Sequence, residues 1–228
     1  MTCKTNMRKK FRLNGFTLVE LLAVIAVITI LMTAGAIGIN SLSAGKAVGS
    51  ATSQAEALFN FARQSAVANN TRSRILIAKQ MAGEGTNRHP DDLRRIVVAL
   101  YNAEDDRWEL TDRGDILPQN VYFSQNYSKT AEGSDIPSAS SISGLPAAFS
   151  GEFFYYEFNS EGIVNVPAAS FVIGSGVWSP GAARPSTSRA GERDFSGFVI
   201  WRNGRTSVFR SPTQIPNLPE AGNTNFPF

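Results

Sequence analysis

Gly15-Phe16-Thr17-Leu18-Val19-Glu20-Leu21-Leu22 opens the stretch that decides this chain's fold. It runs directly into nineteen residues without a charge, Leu21 to Ile39, LLAVIAVITILMTAGAIGI. As a helix rising about 1.5 Å per residue, that run spans roughly 28 Å, close to a bilayer's hydrocarbon core. The fifteen residues before Phe16 are short, polar and basic, with Lys4, Arg8, Lys9, Lys10 and Arg12 and no acidic residue. No further charge follows the run until Lys46. Positive charge on one side only places the N-terminus in the cytoplasm and the C-terminus outside. Glu20 is the exception, a carboxylate just inside an apolar helix. Such a group costs on the order of 2.5–3.5 kcal/mol at a membrane's centre and less near an end, so it calls for a partner.

Composition fits one modest domain with an appendage. The 228 residues are 43% hydrophobic and 18% charged, enough for a core and too little charge for disorder. Without the five leader cations, Lys+Arg falls from 22 to 17 against 19 Asp+Glu, about −2. The basicity therefore belongs to the leader, and no nucleic-acid partner is expected. Cys3 is the only cysteine and His89 the only histidine. A chain starting at Phe16 has neither disulfides nor a Cys or multi-His metal site.

The octet Gly15–Leu22, with its basic leader and apolar helix, resembles the cleavage and methylation motif of type IV prepilins and type II secretion pseudopilins. The resemblance implies that prepilin peptidase cuts after Gly15 and methylates the new N-terminus, Phe16. It also gives Glu20 an assembly role. The Phe16 ammonium of a neighbour displaced by about 6 Å, four residues of helix rise, meets this carboxylate and sets subunit register. Two other readings attach to the same segment. Ala34-Gly35-Ala36 is a site for ordinary signal peptidase, and Glu20 can snorkel to the headgroups.

Gly35, Gly38, Gly45 and Gly49 interrupt the apolar run at about 1 kcal/mol each relative to Ala and are expected to mark a bend or local melting; close helix approach at Gly45 and Gly49 and simple tolerance within a buried helix are the alternatives. Helical spacing resumes at Ala55, Leu58, Phe59, Ala62 and Ala66, and Asn69-Asn70 is the expected stop. Short β-rich runs follow at 74–78, 95–102, 108–111, 120–124, 153–159, 163–166, 170–173, 197–202 and 206–210. Glu104-Asp105-Asp106, Asn159–Gly162 and Asn203-Gly204 are their turns. The expected fold class is α+β: a long N-terminal helix, membrane-spanning over about 20–40, packed on a C-terminal antiparallel sheet domain. The expected organisation is a leader at 1–15, the helix at 16–69 and a periplasmic head at 70–228. Segments 125–150 and 178–193 read as loops and 211–228 as a tail, with mobile filler favoured over a binding surface.

The head carries its own resemblance, to H-type minor pseudopilins and FimT-like pilins. Ala62–Ala66, Leu117-Pro118-Gln119-Asn120-Val121-Tyr122-Phe123, Phe158–Gly162 and Gly204-Arg205 look like their segments in order. The chain also resembles the pseudopilin-like Verru_Chthon cassette protein D group, which adds no mechanism.

No G-x-S-x-G, H-E-x-x-H, P-loop or dinucleotide fingerprint occurs. His89 with Asp91 and Asp92 reads as a turn before a strand rather than a catalytic pair. Glu104, Asp105 and Asp106 offer oxygen ligands for calcium but lack the alternate spacing of a known loop. The four consecutive aromatics Phe153–Tyr156 divide two to each face of a strand. The sequence thus points to a structural subunit with no catalytic residue, cofactor or metal. Its expected partners are prepilin peptidase, other pilin or pseudopilin subunits and the bacterial inner membrane. A minor pseudopilin of a type II secretion-related assembly leads. A minor pilin of a type IV pilus is the runner-up, and a membrane-anchored exported enzyme or binding domain is third.

Overall fold

The computed structural model describes residues 18–81, 89–140, 142–179, 181–187, 195–216, 218 and 227–228, without the side chains of residues 33–45. Helix α1 spans Leu18–Ala68. The chain divides into two compact units between Leu42 and Ser43. The fold is α+β, an N-terminal helix followed by antiparallel sheets on which the later helical turns pack.

Those later turns are amphipathic. Val48, Ala51, Ala55, Phe59, Ala62 and Ala66 recur at spacings of three and four and are all buried. Leu58, expected on this face, lies at its edge and is half-buried. Alanine lets the sheets come close to the helix backbone, and Phe59 fills the one wide gap. Its ring meets Phe171 at 4.7 Å, Phe198 at 5.1 Å and Tyr156 at 6.0 Å. The helix stops at the two asparagines. Asn70 takes a left-handed φ of 48°, which Asn tolerates, and the Asn69 amide donates to the Ser65 carbonyl at 2.8 Å.

The expected interruption is not observed: the backbone stays helical through Gly35, Gly38, Gly45 and Gly49. Glycine lowers helix propensity but removes no backbone hydrogen bond. At Gly49 an added Cβ would meet nothing of the described chain within 4 Å.

Among the described residues nine strands follow: β1 Ser73–Met81, β2 Arg95–Asn102, β3 Arg107–Ile116, β4 Val121–Phe123, β5 Ser138–Ala139, β6 Gly151–Phe158, β7 Ala169–Ser175, β8 Phe195–Ile200 and β9 Thr206–Val208. They form two antiparallel sheets, ordered β3-β2-β1-β6-β5 and β4-β7-β8-β9. In the first, Ile75 opposes Tyr156 and Ile77 opposes Phe154 on the helix side, while Leu76 opposes Tyr155 and Ala78 opposes Phe153 on the outer side. The four aromatics therefore split between two faces as period two requires. The outer face is covered by Trp108 and by Ile142, Leu145 and Phe149. There Arg74 lies 4.2 Å over the Trp108 ring and 4.7 Å over Tyr155, and its Nε donates to Glu157 at 2.7 Å. In the second sheet, Phe171, Ile173, Phe198 and Ile200 face the helix.

Three expectations for the head need correction. Residues 163–166 form no strand, only a bridge from Val164 to Phe158. Val164 N–H donates instead to Arg202, and Pro167 soon ends the donors. The run at 108–111 continues to Ile116 through a bulge, with Ala99 opposite Leu110 but Val97 opposite Gly114. A Cβ at Gly114 would come within 2.8 Å of Val97 Cγ1, so glycine permits the rejoined pairing. Segment 125–150 is not filler. It contributes β5, the buried Ser128 and Ile136, and the outer-face cover. Its apolar residues are too sparse to show a period.

Candidate functional site

The described part of the N-terminal unit is apolar on every side of the helix. Each large apolar residue from Leu18 to Met32 is exposed, between 43% at Ile28 and 79% at Leu18. Soluble surfaces rarely present apolar patches beyond a few hundred Å², so this stretch needs an apolar surrounding, lipid or other helices. Among the described residues no helix is long and apolar enough to cross a membrane. The described side chains of the run stop at Met32, whereas the sequence remains uncharged to Ile39. Glu20 lies in the first turn of α1 and is exposed. A carboxylate there is favoured by the helix N-terminus, by about 0.3–1 kcal/mol. Gly15 and Phe16 lie outside the described residues.

The other sequence candidates prove to be turn architecture. His89 Nδ1 accepts from the Asp91 N–H at 3.2 Å. Asp91 itself pairs with Arg95, and the buried Asp92 accepts from Met81 N–H at 2.8 Å. At the β2–β3 tip, Asp106 has φ 48° and accepts from the Tyr101 hydroxyl, whose pKa that bond raises. Asp105 pairs with Arg107 at 3.0 Å. Hydrogen bonds from Asn102 and Arg107 hold the Glu109 carboxyl below its usual range. These carboxylates point to different partners. Among the described residues no three His, Cys, Asp or Glu side chains are grouped to hold a metal.

Open depressions of about 410 and 440 Å³ adjoin β3. In the larger, Asn102 already serves Asp105, Glu109 and the backbone of Glu104, and Thr71 donates to the Tyr101 carbonyl. Neither depression converges an acid, a base and a nucleophile.

One arrangement was visible in the sequence only as separate pieces. Arg63, on the last turns of α1, donates from Nε to the carbonyls of Asn203 at 3.0 Å and Gly162 at 3.3 Å. Gly162 and Gly204 have φ of 73° and 72°. A Cβ on Gly204 would lie 2.3 Å from the Gly162 oxygen and 2.7 Å from Arg63 Cδ. The helix end, the Phe158–Gly162 turn and the Asn203-Gly204 turn thus meet in one clasp. Leu117, Val121 and Phe123 of the fourth piece are buried, with Asn120 at φ 63° turning the chain between them.

Residues 11–36 match the prokaryotic N-terminal methylation motif. This is a prepilin-type N-terminus. The matched residues include Gly15, Phe16, Glu20 and most of the apolar run. No curated protein matches the chain significantly. Among solved structures, the chain is similar to the type IV minor pilin FimU of Pseudomonas aeruginosa, at 12% identity over 75% of this chain and 92% of that one, TM-score 0.42. It is likewise similar to the minor pseudopilin EpsH of the type II secretion system of Vibrio cholerae, at 13% identity over 72% and 94%, TM-score 0.42. Likeness at that level carries no argument about role, and the α+β assignment rests on this chain's own elements.

Proposed function

We propose that this chain is a minor pseudopilin-like structural subunit of an assembly related to type II secretion. Prepilin peptidase cuts it between Gly15 and Phe16 and methylates the Phe16 amine. The helix then holds it as a single-pass protein of the inner membrane, with the head, residues 70–228, in the periplasm. Assembly proceeds through helix packing, with Glu20 facing the Phe16 ammonium of a neighbour. The role is structural rather than catalytic. The observation that carries this reading is the prepilin motif at 11–36 leading into a helix apolar on all sides.

The motif serves a minor pilin of a type IV pilus equally well. Neighbouring genes separate the two: a retraction ATPase marks a pilus, whereas a secretin with several pseudopilins and no retraction motor marks secretion.

The test is intact and N-terminal peptide mass spectrometry, with and without prepilin peptidase. The expected mature chain begins at N-methylated Phe16 only when the peptidase is present. A chain beginning at Ile37 would be a released protein and would end the assembly reading.

A further inference from the structure

The β8–β9 hairpin carries a surface that neither the core nor the clasp uses. From Phe195 to Pro216 the sequence holds Arg202, Arg205 and Arg210 and no Asp or Glu. All three arginines are exposed, and none makes an ion pair among the described residues. Beside them Trp201 is 51% exposed, its ring held by a 2.9 Å bond from Nε1 to Ser207 Oγ. Val208 is exposed on β9, an edge strand of its sheet. Tryptophan and arginine are the types most enriched where protein interfaces gain their energy. Arg63 fixes the turn from beneath, so the surface is preorganised.

The same chain presents the complement. The tip of the β2–β3 hairpin, residues 102–109, bears Glu104, Asp105, Asp106 and Glu109, all exposed, with Arg107 among them and Arg72 stacked on Tyr101 beside them. We infer that the Trp201 and arginine surface of one copy docks on the acidic β2–β3 hairpin of a second copy. The inference deepens the assembly reading and rests on it. The two surfaces are different parts of one chain, so a single such contact leaves one of each surface open and repeats into a ring or a helical filament, unless a two-fold axis pairs both at once. Opposed charges also steer the encounter and suppress wrong registers. Duplex DNA is another polyanion of matching sign, but the hairpin offers one exposed aromatic and the chain after Phe16 is acidic in sum.

The test is disulfide cross-linking of the full chain in its membrane, in a Cys3→Ser background. One copy carries Val208→Cys and a second, distinguishable by a tag, carries Ala103→Cys. A separate pair carries Ile25→Cys to report helix contact. The expected hairpin cross-link falls at least tenfold with Arg202→Glu, Arg205→Glu and Arg210→Glu combined. It returns when the other copy carries Glu104→Lys and Asp105→Lys. A helix cross-link without a hairpin cross-link overturns this inference and leaves the assembly reading standing. Loss of both overturns both. A hairpin cross-link indifferent to the charge changes overturns the inference. So does a wild-type chain that shifts a labelled DNA duplex while showing no charge-dependent cross-link.

Discussion

One helix meets two environments. Between Leu18 and Met32 every large apolar side chain is exposed. Between Val48 and Ala66 the buried face is mostly alanine, and the exposed face carries Ser50, Ser53 and Gln64. The first stretch has more apolar surface, and its large apolar side chains are exposed. The second has little and buries nearly all. Apolar content alone therefore does not say where a helix packs; its distribution round the axis does.

The sharpest way to break this comparison is to remove matched side chains from the two stretches. Phe59→Ala should cost the head about 3–5 kcal/mol, since its ring is enclosed by three others. Ile25→Ala should change head stability by less than about 0.5 kcal/mol. Urea unfolding of the full chain in detergent, followed by near-ultraviolet circular dichroism, measures both. Equal losses would erase the distinction.

Gly204→Ala comes next, at about 1–3 kcal/mol, because it combines a left-handed φ with a Cβ overlapping the Gly162 oxygen. Arg63→Met keeps the aliphatic stem but leaves two carbonyls without their donor, and should cost about 1–2 kcal/mol by the same assay.

A smaller effect depends on pH. Glu152 accepts from Lys79 Nζ at 2.6 Å and from Ser138 Oγ at 2.7 Å, and these bonds, Lys79 first, hold its carboxyl below the usual range. Its contribution is complete above the unfolded-state value, near 4.3, and is lost as pH falls through the lowered folded value. Glu152→Gln should flatten the fall of the urea midpoint below about pH 4.3. An unchanged acid slope would contradict it.

The smallest effect on stability belongs to Glu20→Ala. Head unfolding and cleavage should stay as they are while incorporation with other subunits, read by pull-down, declines. Normal incorporation would remove the assembly role of Glu20.

Strong local periods made much of this legible. The apolar, Val- and Ile-containing run Arg95–Asn102 and the four aromatics of β6 announced their strands, and Asn69-Asn70 announced the helix end. Ser138-Ala139 announced nothing, because two small residues paired to β6 carry no period. Val164 and Val166 resembled a strand, but the Val164 N–H donates to the Arg202 carbonyl and the Val166 carbonyl accepts from the Tyr156 hydroxyl. The clasp was unreadable for a different reason. Arg63, Gly162 and Asn203 lie far apart in sequence, and only the packed fold brings a guanidinium to two turn carbonyls. Of the N-terminal site, the motif itself could be read directly, because it is written in contiguous residues.

The three tryptophans occupy three grades of exposure: Trp108 is 6% exposed, Trp178 is half-buried against Tyr122 and Trp201 is 51% exposed. Excited together, they make the chain its own optical gauge. An aqueous quencher such as iodide should extinguish the red-shifted emission of Trp201 first and leave the blue emission of Trp108 until the outer sheet face opens. Shielding of that red component would report occupancy of the hairpin surface without any added label.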